Sequence, residues 1–368
     1  MKSVKMIITN NKVKNMRNFD YKLECAKLLT PDIVALLTKI NEYKGKQNHY
    51  LSVKADTLDY LVTEAKIQST KASNQIEGIY TSDERLKKIV AEKTTPINRS
   101  EHEIAGYRDV LNTIHENYEF IPVLKNVILQ LHRDLYKFSG ISFGGSFKNS
   151  DNVIAEIDSQ GQQNIRFASV PAWETPAYID AICDEYNQNY YHTLSDKLIL
   201  LSMFTLDFLC IHPFNDGNGR MSRLLTLLML YRSGFCVGKY ISIENIIENN
   251  KQSYYEALRE SSRGWHEGAN NYEPFVKYML EVIISAYREF DQRVLAVTDK
   301  KTSKPEMVEE YIKNSLGQVS KREIVEKMGN MSEVTVQRAL ATLLKENNII
   351  KIGGGRYTKY TWNRENNK

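Results

Sequence analysis

Apolar residues recur three and four positions apart along most of the chain, which predicts a protein built mainly of helices. From Asp56 to Ile79 the stripe is Leu58, Leu61, Ala65 and Ile67, with Asp56 as the predicted cap. Ser100 and Glu103 have capping-box spacing ahead of a helical stretch from Ile104 to Tyr118. The same period predicts helices over 121–138, 175–190, 195–211, 220–232, 241–263 and 272–297. The run 198–211 holds a single charge, Asp207, so it reads as a buried helix too short to span a bilayer. The period breaks at Ser139–Asp158, rich in glycine and β-branched residues, which predicts a hairpin or extended flap.

Val297–Pro305 is polar and basic and ends in proline, which predicts a linker. Beyond it, helices are predicted over Pro305–Ser315, Lys321–Met328 and Ser332–Asn347. Two short strands, Ile349–Ile352 and Arg356–Trp362, then flank Gly353-Gly354-Gly355. This order resembles a winged helix-turn-helix. Charge sharpens that reading. The whole chain of 368 residues has 49 basic and 45 acidic residues, too balanced to name a partner. Residues 301–368 alone carry 13 Lys and Arg against 8 Asp and Glu. Thr335, Gln337, Arg338 and Lys345 on the third helix, with Arg356 and Lys359 on the hairpin, are the residues such a module would offer to DNA. Protein contact is the alternative use.

Composition excludes several classes. At 42% hydrophobic and 26% charged, the chain is not intrinsically disordered. Cys25, Cys183, Cys210 and Cys236 form no CxxC pair, so neither a disulfide framework nor a cysteine zinc site is expected, and a reducing, cytoplasmic setting fits. Met1–Asn18 lacks the long apolar core of a signal peptide, and no membrane partner is expected.

The candidate chemistry lies in Ile211-His-Pro-Phe-Asn-Asp-Gly-Asn-Gly-Arg220-Met-Ser-Arg223. Pro213 ends the preceding helix at His212. A second helix is predicted to begin near Arg220 and to stop at Gly234. Gly217, Asn218 and Gly219 therefore sit at a helix N-terminus, where free N–H groups and the positive dipole end attract anions. Arg220 and Arg223 share one helix face. Asp216 is a hard carboxylate of the kind that binds Mg²⁺ together with phosphate oxygens. His212 is a candidate general base. An EF-hand is excluded because Met221 and Leu227 stand where its Gly and Glu belong; no Walker A lysine and no GxGxxG after a strand are present.

This segment matches the Fic signature HPFx[D/E]GNGRxxR at every specified position, and the chain resembles the Fic (Fido) family from about residue 20 to 290. The resemblance implies a mainly α fold: a Fic-type helical bundle with a short β-hairpin flap, plus the small C-terminal winged-helix domain. The expected division is an N-terminal helical region 1–105 with an inhibitory helix, a Fic core 106–297, and a winged helix-turn-helix domain 298–368. The implied activity is transfer of AMP from ATP to a Ser, Thr or Tyr hydroxyl of a target protein, or of the protein itself, with release of pyrophosphate. His212 then deprotonates the hydroxyl and Asp216 holds Mg²⁺. Gly217, Asn218, Gly219 and Arg220 hold the phosphates, Arg223 grips the γ-phosphate, and Phe214 anchors the loop. A Lys replaces Gly219 in the related Doc toxins, which transfer phosphate, so Gly219 favours AMP transfer.

Ser73-Asn-Gln-Ile-Glu77-Gly78 matches the family's inhibitory motif [S/T]xxxE[G/N], in which Glu77 pairs with Arg223 and blocks γ-phosphate seating. By the same resemblance, Lys148, Asn152, Val153 and Ile154 belong to a target-positioning flap, and Tyr254 and Tyr255 line the adenosine pocket. Three alternatives stay open at this stage: a DNA-binding regulator that senses nucleotide, transfer from another nucleotide, and removal of AMP. Self-association is likewise left open.

Overall fold

The computed structural model describes residues 16–53, 55–157, 163–191, 195–298, 304–315, 317–328 and 331–363. The N-terminal residues 1–15, and 299–303 within the expected linker, lie outside these. The helices in chain order are α1 (Tyr21–Leu28), α2 (Pro31–Val53), α3 (Ala55–Ile76), α4 (Asp83–Val90), α5 (Arg99–Asn117) and α6 (Lys125–Leu135). A hairpin of β1 (Val153–Ile157) and β2 (Gln163–Ala168) follows. Then come α7 (Thr175–Tyr190), α8 (Lys197–Ile211), α9 (Asn218–Arg232), α10 (Ile243–Asn249), α11 (Lys251–Ser261) and α12 (Glu273–Thr298). The tail adds α13 (Lys304–Asn314), β3 (Val319–Ser320), α14 (Lys321–Met328), α15 (Glu333–Lys345), β4 (Ile349–Ile352) and β5 (Lys359–Trp362). Among the described residues, no helix is long and apolar enough to cross a membrane.

By packing, the chain forms two compact units. One comprises residues 1–34, 70–234 and 247–280. Its core is α8, which packs on α7 and α9. Asp196 caps α8 by accepting from the N–H groups of Leu198 and Ile199. Every residue from Leu198 to Ile211 is buried, which explains the nearly unbroken apolar run. Each buried Leu, Ile or Phe there contributes about 2–3 kcal/mol. Asp207 survives inside because it accepts from Trp265 Nε1 (2.6 Å), Tyr21 Oη (2.8 Å) and Tyr272 Oη (2.9 Å). That cluster ties the C-terminal end of α8 to α1 and to the loop after α11, and gives Trp265 a polar task beyond packing.

The other unit comprises residues 35–69, 235–246 and 281–368. In it Val308, Ile312, Ile324, Val336, Leu340, Leu343 and Ile349 form the core of the tail. Its sheet is antiparallel in the order β3-β5-β4. Glu289 of α12 meets Lys327 of α14 at 2.8 Å within this unit.

Several boundaries differ from the periodicity. The stretch 121–138 is helical only over Lys125–Leu135, since Pro122 removes a donor and fixes its φ. The stretch 241–263 is two helices, broken at Asn250. The cap of α5 is Asn98, which accepts from Glu101 N, not the Ser100–Glu103 pair. Glu103 is instead drawn inward by Arg220. The expected flap 139–158 is turns through residue 150; β1 starts at Val153 and its partner β2 lies beyond the segment.

Candidate active site

His212 closes α8 in the left-handed region, with φ +51°. A non-glycine residue there carries strain of about 1–2 kcal/mol, held in place by the buried helix before it and Pro213 after it. Its Nδ1 lies 3.3 Å from the Leu209 carbonyl, which only accepts, so Nδ1 carries the proton and Nε2 presents a lone pair. Burial, with Lys148 and Arg166 nearby, lowers its pKa to about 4. The imidazole is therefore neutral at pH 7, the form a base requires.

The loop that follows is braced from both sides. Phe214 is fully buried and stacks on His132 with ring centroids 3.6 Å apart. His132 Nδ1 accepts from Gly145 N (3.0 Å) and Nε2 donates to Asp216 O (3.1 Å), so one neutral tautomer satisfies both bonds. Burial holds its pKa down to about 4. Asn218 closes the bend on itself: Oδ1 accepts from Phe214 N and Nδ2 donates to Phe214 O, both at 2.8 Å. Its side chain is thus spent on the loop, which leaves only its backbone N–H for the anion expected there.

Helix α9 begins at Asn218, two residues before the expected start, behind Gly217 with φ +84°. A Cβ at Gly217 would come within 2.9 Å of Tyr136 Oη, so both the backbone and the space demand glycine. Arg220 is fully buried. It pairs with Glu103 at 2.8 Å and donates to Tyr136 Oη at 2.8 Å. Its Nε and Nη1 are buried with no partner among the described residues, which suits a guanidinium built to receive an anion.

Glu77 lies just past the end of α3, where Gly78 turns the chain at φ +78°. Its Oε1 accepts from Arg223 Nη2 at 2.8 Å. Arg223 also donates to Ser73 Oγ and Ser73 O, each at 2.9 Å. Lys251 Nζ donates to the Ile76 carbonyl at 2.9 Å and so caps the same helix. A Cβ on Gly219 would stand 2.1 Å from Glu77 Oε1. The carboxylate therefore rests directly on the bend at the start of α9.

The other sequence-derived residues divide. Asp216 is half exposed; its Oδ1 accepts from Gly217 N at 2.7 Å and its Oδ2 lies 3.8 Å from Arg220. Tyr254 is buried beside Tyr278 and Phe275, whereas Tyr255 is at the surface near Glu77 and Arg223. Val153 and Ile154 lie on β1, and the Val153 side chain is exposed. Lys148 and Asn152 correct the expectation: neither is on the hairpin. Lys148 is buried, and its three ammonium protons reach Asn152 Oδ1, Ser169 Oγ and Ile211 O. Asn152 donates to Phe214 O at 3.1 Å. The two clasp the signature loop from within, and burial lowers the Lys148 pKa to about 8. Sequence reading also missed His132, Tyr136, Glu103 and Arg166. Only the paired ring and charge chemistry of His132-Arg133 and Tyr136 in one amphipathic helix offered a signal.

Acid stability follows from the two buried imidazoles. Unfolded histidine titrates near 6.5. Between about pH 6.5 and 4 the unfolded chain binds more protons, so stability is full above that window and falls as pH falls through it. The loss is about 3 kcal/mol per histidine at most. Thermal unfolding at pH 7.5 and 4.5 checks this; a midpoint that does not drop, or the same drop in His212→Ala, contradicts it.

A family model described as the Fic/DOC family matches residues 122–230. A Fido domain-containing protein of Dictyostelium discoideum is 33% identical over 123 residues, covering 32% of this chain and 77% of that protein. A probable protein adenylyltransferase of Aquifex aeolicus is 26% identical over 210 residues, covering 56% of this chain and 57% of that protein. The chain thus spans a little over half the length of that relative. The crystal structure of a Fic family protein from Desulfovibrio desulfuricans G20 superposes with a TM-score of 0.58 at 21% identity, over 91% of this chain and 97% of that one, a likeness of fold. The chain belongs to the Fic/DOC, or Fido, family.

Proposed function

We propose that this protein is a self-inhibited protein adenylyltransferase. One observation carries the reading: Glu77 and Ser73 occupy Arg223 directly above Gly219, while His212 at the other end of the same loop presents an unprotonated Nε2. ATP lies with its phosphates on the N-terminus of α9, and Arg223 takes the γ-phosphate once Glu77 leaves. A target hydroxyl gives its proton to His212 Nε2, its oxygen bonds to the α-phosphorus, the α–β bridging bond breaks, and pyrophosphate departs. The printed name of the Aquifex aeolicus relative supports this chemistry.

The residues present fit a magnesium ion of the kind that keeps several waters. Asp216 supplies one half-exposed carboxylate at the mouth of the bend, to which phosphate oxygens and waters would be added. Such an ion, held by Asp216, would offset phosphate charge. Tyr255 flanks the adenosine, with Tyr254 behind it. An extended target segment adds to the hairpin at β1, beside Val153 and Ile154. On this reading residues 1–105 hold the brake, 106–297 the chemistry, and 298–368 a winged helix.

The test is incubation of Glu77→Gly protein with labelled ATP, UTP and GTP, followed by mass spectrometry of the adduct. An added AMP supports the proposal; a different added group sinks it. A second activity is suggested by the exposed Gln337, Arg338 and Lys345 on α15 and the exposed Lys359 on β5, which suit a duplex backbone. Charge reversal of Arg338 and Lys345 is expected to weaken duplex binding and flatten its salt dependence. Unchanged binding in a filter assay excludes that face.

A further inference from the structure

The hairpin carries a residue that the signature does not include. Along β1 and β2 the register runs Val153 opposite Ala168 and Ile154 opposite Phe167. It then jumps to Ala155 opposite Ile165, leaving Arg166 without a partner across the strands. That is a β-bulge, and bulges beside functional sites re-aim the side chain of the extra residue. Arg166 is half-buried, and its Nε is buried with no partner among the described residues. Its neighbours Phe167 and Ser169 are both committed elsewhere: Phe167 stacks on His266, and Ser169 closes the Lys148 clasp. Just past β2, Ser169 accepts from Lys148, which also donates to Ile211 O next to His212, so this end of β2 adjoins the signature loop, and the positive charge of Arg166 is felt at His212 and at Tyr255.

A buried guanidinium edge without an acceptor costs free energy that a ligand anion would recover. Arg166 lies near the end of β2 that adjoins the signature loop through Ser169 and Lys148, so the anion it suits is one that reacts there. We propose that Arg166 is a further substrate-binding residue, donating from its bulged position on β2 to the phosphate that is transferred, the α-phosphate of the nucleotide. This rests on the adenylyltransferase reading. It adds to the arginines of α9 a further cation supplied by the hairpin, which would hold charge as the adenylyl group passes to the hydroxyl.

The test separates phosphate binding from turnover. In the Glu77→Gly background, binding of AMP and of adenosine is measured by calorimetry for the Arg166 parent, Arg166→Ala and Arg166→Lys. Loss of a charge-assisted bond predicts an AMP affinity about 10-fold or more lower in Arg166→Ala, with adenosine unchanged and Arg166→Lys in between. The same variant lowers kcat for AMP transfer and leaves the KM for the protein substrate alone. If AMP binds equally well to parent and Arg166→Ala, the assignment is overturned while the function stands. A rise confined to the KM for the protein substrate also overturns it and gives Arg166 to an acidic target segment. A parent that binds neither AMP nor adenosine overturns the nucleotide reading and this assignment with it.

Discussion

Replacing Glu77 with Gly is expected to raise AMP incorporation about 10- to 100-fold, the equivalent of one charge-assisted hydrogen bond of about 1.5–3 kcal/mol. In the folded protein the carboxylate holds Arg223 Nη2 at 2.8 Å and covers Gly219. On the proposed function a γ-phosphate must displace it to reach the same guanidinium, which would make the brake a competition between two anions. The Glu77 side chain is about one-third exposed, and solvent screening pulls the gain toward the lower end. Ser73 gives a graded control. Ser73→Ala removes the Oγ acceptor but leaves Ser73 O and Glu77 on Arg223, and should release far less activity. Glu77→Gly also leaves a buried arginine less well paired, so ATP should raise the melting midpoint of the variant more than that of the parent. Equal incorporation of label by parent and Glu77→Gly would mean that Glu77 is no brake.

In that released background, His212→Ala should lower AMP transfer about 10²- to 10⁴-fold, the usual contribution of a positioned base. Nucleotide affinity should be little changed, because on the proposed function the phosphates are held by α9, its arginines and Arg166, and not by His212. The bond from Nδ1 to Leu209 O sets the tautomer, and the strained φ sets the direction in which Nε2 points. With the pKa lowered to about 4, protonation removes the base only in strongly acidic solution, so the acid limb of kcat/KM should lie well below the 6.5 of free histidine. A His212→Ala protein that retains full transfer removes the imidazole from the mechanism, and another acceptor for the hydroxyl proton must then be found.

Much of the site was legible because its chemistry is local. From His212 to Arg223 the candidate groups lie within one turn-and-helix segment, where proline and glycine set the bend. Ser73 and Glu77 were legible as a pair because four residues of helix place them together, although their partner Arg223 is 150 positions away from Ser73. The hairpin was the weak point. Its glycines suggested a flap one segment too early, because Gly144 and Gly145 serve to pass the chain close over α6. Lys148 looked like a surface residue by type. It is buried because three carbonyl, hydroxyl and amide oxygens converge on it, which no local pattern announces.

The sequence by itself determined the mainly helical class, the three tail helices with a two-stranded hairpin after them, and the break between two helices from His212 to Gly217. These depend on spacing, cap chemistry and backbone freedom, all of which act over a few residues. Only the tertiary structure decided that Glu103 leaves its cap to pair with Arg220, that His132 braces Phe214 and Asp216, and that a bulge leaves Arg166 unpaired across the hairpin. Each of these is a contact between distant segments or a consequence of strand register. Burial makes such contacts obligatory, since a charge or ring nitrogen removed from water must find its partner wherever the fold brings one.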